Sequence, residues 1–170
     1  MCESEIPREL LQQYFNRSAA NVFGRMLAQP SETATAEDLS NSRVETPVEL
    51  DSLEKPIYVG SVGFVGDINC VLYLSAIQSV MMKATSMISE LNEVGLEIIS
   101  DVCGEIANIL GCGLKNSLPD MRQPSMPTIP TVLNGCELYV SSIDVSRYLR
   151  FRYTLFEEPV VVDLAMAKNV

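Results

Sequence analysis

Three polar side chains lie at helical spacing in the run Asp101-Val-Cys-Gly-Glu105-Ile-Ala-Asn108. At about 100° per residue, positions 101, 105 and 108 fall within an arc of roughly 60°, so two carboxylates and one amide point the same way from a rigid support. Gly104 and Gly111 flank this triplet, and residues without a side chain let another backbone approach closely. The pattern therefore predicts a docking face for another protein.

The chain contains no histidine. This excludes Ser-His-Asp and Cys-His nucleophile systems, a histidine general base and any zinc site with a histidine ligand. The five cysteines include no Cys-x-x-Cys pair, which favours reduced thiols over a disulfide framework. Cys103 and Cys112 are too far apart on a helix to form a cysteine-only metal site, so small buried hydrophobes are their expected role. An enzyme of this composition works without a conventional nucleophile, and we expect no metal or cofactor held by this chain.

Composition and charge narrow the class of partner. A chain of 170 residues with 47% hydrophobic content fits one compact domain. Its net charge of −10 repels phosphodiester backbones and anionic membrane surfaces. We therefore expect a protein partner with basic residues, no nucleic acid and no membrane insertion. The start of the chain lacks signal-peptide features and no apolar run reaches membrane-spanning length, which favours a cytoplasmic protein.

The helix that carries the triplet is predicted over residues 91–115, and its opposite side is apolar. A stripe of this kind is buried against a sheet or another helix. It comprises Ile98, Ile99, Val102, Cys103, Ile106, Ile109 and Leu110.

The remaining elements are helices and strands that alternate along the chain. Residues 7–28 predict a first helix, and residues 75–89 a methionine-rich helix with Ser75 as its N-cap and with Met81, Met82 and Met87 as core residues. Residues 32–55 predict a polar loop that leads into an edge segment near Val44 to Leu50. Strands are predicted at Pro56–Val65, Ile68–Leu74, Thr131–Leu133, Leu138–Ile143, Tyr148–Phe156 and Val160–Met166, the first two forming a hairpin. This order predicts a single α+β domain with helices against one face of the sheet.

Two helical segments share a pattern of Ala, Asn, Gly and Leu. The run from Ser18 to Leu27 aligns with the run from Glu105 to Leu114, which indicates an internal repeat with pseudo-two-fold symmetry. Two amphipathic helices on one sheet would share much of this pattern without a duplication. The first copy has Asn21 in place of Asn108 but Ser18 in place of Glu105, so we expect no second site there.

The order Asp101, Glu105, Asn108 and then Pro130 resembles the signature of the bacterial chemotaxis phosphatases CheC and CheX. The hairpin around residues 63–74 and its trailing helix are similar to the middle segment of that family. The resemblance is closer to CheX than to CheC, because only one helix carries an intact Glu and Asn pair. It implies a CheX/CheC-like α+β fold in which residues 1–170 form one domain, with two long helices packed on a largely antiparallel sheet.

The resemblance also implies a function, which is hydrolysis of the phosphoryl group on the phospho-aspartate of a CheY-like response regulator. Asn108 would then position an in-line water and Glu105 would reach a lysine of the receiver domain. Asp101 would be a peripheral contact, and Pro130 would shape the adjoining strand edge. The Mg²⁺ ion of the reaction would belong to the partner receiver domain. Homodimers occur variably in the family.

Two alternatives stay open at this point. Glu-x-x-Asn is common on solvated helix faces, where it carries no function. A CheX-like module can also bind a receiver domain or a flagellar switch component without accelerating its dephosphorylation. Retention of both Glu105 and Asn108 favours the phosphatase.

Overall fold

The computed structural model describes residues 6–30, 33–40, 56–66, 68–91, 93–117, 125–136, 138 and 145–167. The helices are α1 (Arg8–Ala19), which continues as a π-helical segment (Ala20–Met26), α2 (Gln78–Ser89) and α3 (Leu96–Ser117). The strands are β1 (Glu37–Asp38), β2 (Ile57–Val65), β3 (Cys70–Ile77), β4 (Met126–Pro127), β5 (Thr131–Gly135), β6 (Val145–Leu155) and β7 (Glu158–Ala167). No helix within these ranges is both long and apolar enough to cross a membrane.

The described strands form one antiparallel sheet in the order β1-β6-β7-β3-β2-β4, and β5 also pairs with β2. The predicted hairpin is β2 with β3, in a register that places Ile57 opposite Ile77 and Phe64 opposite Cys70. The predicted α+β fold is confirmed. Sequence-distant strands are neighbours in this sheet, because β7 inserts between β3 and β6.

The helices cover one face of the sheet. Side chains alternate between faces along a strand, so Tyr58 and Val62 of β2 point to the helices while Ile57 and Val59 point away. On the helix side, Phe15 of α1 stacks on Phe151 of β6 with ring centroids 4.3 Å apart. Apart from Ile98, the apolar stripe predicted for α3 faces this core, which fixes the polar side of the same helix outward.

The predicted start of the second helix at residue 75 is wrong, because β3 continues to Ile77 and α2 begins only at Gln78. The prediction that Ser75 is its N-cap is therefore wrong as well. Ser75 pairs with Val59 on one side and Val161 on the other, and its hydroxyl oxygen is buried with no hydrogen-bond partner among the described residues. Ladder pairing on both sides outweighs the local capping preference of serine, since a central strand satisfies its backbone groups only in the sheet.

The methionine prediction is correct for Met81, which is buried, and wrong for Met82 and Met87, which are exposed on α2.

The predicted edge segment near Val44 to Leu50 lies outside the described residues. The predicted strand at 138–143 lies outside them as well, except for its first residue. Within the predicted polar loop 32–55, two residues form β1, which pairs with β6 at the edge of the sheet.

The buried thiols behave as apolar side chains. Cys70 and Cys103 lie in the core, and burial raises the pKa of each thiol to about 12. A backbone hydrogen bond with Gly60 opposes part of this shift at Cys103. Because the protonated form dominates near neutral pH, neither thiol is a nucleophile. The role of a small buried hydrophobe predicted from the sequence is thus correct for Cys103, whereas Cys112 is only half-buried.

Candidate functional site on helix α3

The structure places the predicted polar triplet on the outer side of α3. Asp101 and Glu105 are exposed and Asn108 is half-buried, whereas Val102 and Ile106 between them are buried. Neither carboxylate forms a side-chain hydrogen bond or ion pair within the described part of the chain. Both acidic groups are therefore available to a partner.

Small residues set how closely α3 lies on the sheet. A Cβ atom on Gly60 of β2 would lie 2.9 Å from the carbonyl oxygen of Cys103. A Cβ atom on Gly111 of α3 would lie 2.7 Å from the ring of Phe64. Since real Cβ atoms do not approach other heavy atoms so closely, the backbones of β2 and α3 are in contact at Gly60, and the backbone of α3 contacts the Phe64 side chain at Gly111. These contacts fix the rotation of α3 and so the direction of its polar side.

The prediction that Gly104 and Gly111 face a partner is wrong. Both are buried, and the groups that approach them belong to the same chain. A Cβ atom on Gly104 would lie 3.3 Å from a methyl carbon of Val132. The close approach that glycine permits is therefore used in packing α3 on the edge of its own sheet.

Pro130 is brought to the site by this packing. A Cβ atom on Gly104 would lie 3.6 Å from the Cβ atom of Pro130. Because Gly104 adjoins Glu105 and lies one helical turn before Asn108, the proline forms one border of the polar face. Pro130 follows Asn108 by 22 positions in the chain, yet it lies at the same site, as the resemblance implies.

The strand edge that carries Pro130 contains a β-bulge. On β2, Phe64 pairs with Pro127 of β4, and Ser61 pairs with Thr131 of β5. Two residues of β2 therefore face the three residues 128–130, and one residue is extra. Proline, which lacks an N–H, is tolerated at such a bulge.

Cys112 is a site neighbour that sequence reasoning missed. Its thiol lies 3.7 Å from the Oδ1 atom of Asn108, where it can donate a weak hydrogen bond. It follows Asn108 by four residues, so helical periodicity could have placed it on the same face. Among the described residues, no group of three cysteine or acidic side chains is arranged to hold a metal ion.

The first helix does not present an equivalent pair. Ser18, which aligns with Glu105, is buried and donates a hydrogen bond of 2.9 Å to the carbonyl oxygen of Leu110. Asn21 is exposed on the π-helical segment. Ser18 thus joins α1 to α3, and it does not face solvent beside Asn21.

An antiparallel sheet with helices on one face, together with an outward Glu and Asn pair beside a distant proline, is the arrangement expected from the resemblance to the CheC and CheX chemotaxis proteins. Residues 58–153, more than half of the chain, match the family model described as chemotaxis phosphatase CheX. The chain belongs to the CheX family.

Solved structures share this fold at low sequence identity. The CheC-like superfamily protein from Shewanella sp. PV-4 is similar with a TM-score of 0.68 and 16% identity, over 94% of this chain and 98% of that one. CheX from Vibrio vulnificus gives 0.68 and 15%, over 95% and 99%. The CheX–CheY–BeF₃–Mg²⁺ complex from Borrelia burgdorferi gives 0.68 and 15%, over 96% and 100%. No curated protein matches the chain significantly.

Proposed function

We propose that this protein is a phosphatase that hydrolyses the phospho-aspartate of a CheY-like response regulator, in chemotaxis or a related two-component pathway. The observation that supports this most directly is the outward placement of Glu105 and Asn108 on α3, beside Pro130. Family membership agrees with the proposal, and a structural neighbour was solved as a complex of CheX with CheY.

Asn108 has the chemistry needed to orient a water molecule. Phosphoryl transfer depends mainly on positioning and on neutralisation of charge, so a protein nucleophile is not required. A neutral amide can accept a proton of the attacking water through Oδ1 and donate to a phosphoryl oxygen through Nδ2. Half-burial restricts the Asn108 side chain, which lowers the entropy lost on ordering it. The Mg²⁺ ion would be held by the receiver domain.

Glu105 suits a different task, because it lies one turn nearer the start of α3 and carries a carboxylate in place of an amide. Its exposed carboxylate can form a charge-assisted hydrogen bond with a lysine of the receiver, which would fix the register of the two proteins. Asp101, one further turn away, is a peripheral contact in this arrangement. All these residues come from one chain, so each copy in a homodimer would carry its own site.

Replacement of Glu105 tests the contact with the receiver. Glu105→Lys should weaken binding to a beryllofluoride-activated receiver about tenfold or more, since an attraction becomes a repulsion, and Glu105→Gln should weaken it less. Calorimetric titration at low and high salt measures both effects. Asp101→Lys is the matched control, because the same charge change at a peripheral position should have the smaller effect. Equal affinity of wild type and both Glu105 variants would show that Glu105 is ordinary surface.

A binding module without catalysis is the second candidate, favoured by the exposed carboxylates of Asp101 and Glu105, which can bind a partner without catalysing a reaction. The two candidates differ in one measurement. A receiver is phosphorylated with acetyl phosphate, the excess is removed, and free phosphate is followed with and without this protein. The phosphatase predicts acceleration by catalytic amounts. Stoichiometric binding with an unchanged rate of phosphate release would establish the binding module.

A further inference from the structure

Ile129 is the extra residue at the centre of the bulge at 128–130, and its side chain is 88% exposed. No other large hydrophobic residue described in this structure is as exposed. Bulges redirect a side chain out of the regular strand alternation and are enriched beside functional sites. The bulge therefore presents an isoleucine to solvent that does nothing for the protein's own core.

Both neighbours of Ile129 are held in place. The N–H of Thr128 donates to the carbonyl oxygen of Gly63 at 2.8 Å, and the N–H of Gly63 donates to the Thr128 hydroxyl at 2.9 Å. On the other side, Pro130 has a fixed φ and lies against Gly104 of α3. Ile129 is thus carried by a rigid segment next to the Glu105 and Asn108 face. An apolar group held in this way loses little entropy on binding.

The charge of the polar face explains why an apolar contact is needed there. Glu97, Asp101 and Glu105 are all exposed on α3, and the chain carries a net charge of −10. The phosphorylated site of a receiver is itself anionic, so the two surfaces repel except where Glu105 meets a cation. Buried apolar area supplies binding free energy that does not depend on this charge balance.

We infer that Ile129 is a contact residue for the phosphorylated receiver, which packs an apolar patch beside its phospho-aspartate against the bulge. This inference rests on the proposed function. Ile129 contributes affinity and does not take part in the chemistry, because an aliphatic side chain cannot orient water or neutralise charge. The expected signature is a change in KM without a change in kcat.

The test compares Ile129→Ser with Ile129→Val and with Met87→Ser. The serine variant should raise KM for the phosphorylated receiver about tenfold and leave kcat within about twofold, the scale for losing one well-packed contact residue. The valine variant should stay near wild type. Met87 is an exposed hydrophobic residue on α2, a different helix from the one that carries Glu105 and Asn108, so Met87→Ser controls for general loss of surface hydrophobicity. Thermal melting verifies that each variant is folded.

Affinity for the beryllofluoride-activated receiver, measured by calorimetry, decides the inference independently of turnover. Weaker binding by Ile129→Ser alone supports it. Unchanged affinity and KM in a folded Ile129→Ser variant overturns it while the proposed function stands. A fall in kcat at unchanged KM also overturns it. Wild-type protein that binds the receiver without releasing phosphate overturns the phosphatase function, and the binding data still decide the role of Ile129.

Discussion

Asn108→Ala should lower the rate of receiver dephosphorylation by about 100-fold or more, the scale for loss of one group that orients the transition state. The amide would no longer hold the attacking water, and the neutral side chain of Ser100 cannot replace it, since it lies two turns earlier on α3 with its hydroxyl bonded to the carbonyl oxygen of Leu96. Single-turnover release of phosphate from a phosphorylated receiver measures the effect. The loss should appear in kcat, because binding relies on separate contacts, at Glu105 and at Ile129.

The fold should survive this change, since Asn108 is half-buried on the polar side and its side chain forms only a weak bond, with Cys112, among the residues that the structure describes. Asn21→Ala is the matched control, because it removes the aligned asparagine from the first helix. It should leave turnover unchanged. Near-normal turnover by Asn108→Ala would end the assignment of this residue, and activity lost in Asn21→Ala would move the site to the first helix.

Ile106→Asp should unfold the domain or lower its free energy of unfolding by several kcal/mol. Ile106 is 2% exposed and faces the core between α2 and the sheet, beside Leu74, Met81 and Val160. The described side chains that line the same space are apolar, so a carboxylate there would be buried among groups that cannot pair with it. Chemical denaturation followed by circular dichroism measures the loss.

Leu96→Asp makes the same kind of change at the first residue of α3, where the side chain is 60% exposed. It should be nearly neutral, because the new charge stays in water and lies at the favourable end of the helix dipole. Wild-type stability of Ile106→Asp would mean that the two faces of α3 are reversed. The polar triplet would then point inward, and the proposed docking face would not exist.

The local elements follow from the sequence because covalent geometry sets their periods. The 3.6-residue repeat of apolar residues in α3 is enough to separate Ile106 from Glu105 and Asn108 without reference to any tertiary contact. The β-rich composition of the two runs and the turn signal between Val65 and Ile68 likewise predict the β2–β3 hairpin. The absence of histidine excludes whole classes of catalysis by composition alone.

Strand ends are less predictable, because a residue near the end of a strand has competing local and long-range partners. Ser75 has the local chemistry of a helix N-cap, yet pairing with strands on both sides keeps it in β3.

The buried pair of Arg150 with Asp163 is a second feature that local patterns do not predict. Strand-like patterns do not predict that two ionised side chains meet at 2.7 Å inside the sheet, since this depends on the register of β6 with β7.

The sequence by itself determined which side chains α3 points outward, and the tertiary structure alone decided what surrounds them. Glycine at positions 104 and 111 allows close approach either by another part of the same chain or by a partner. Only the packing of α3 on β2 and β5 shows that the approaching groups belong to the same chain. Pro130 and Ile129 reach the site through a shift of one residue between the β4 and β5 registers. That shift comes from contacts between segments about 65 residues apart, which helical or strand periodicity does not encode, because it describes only the residues within one element.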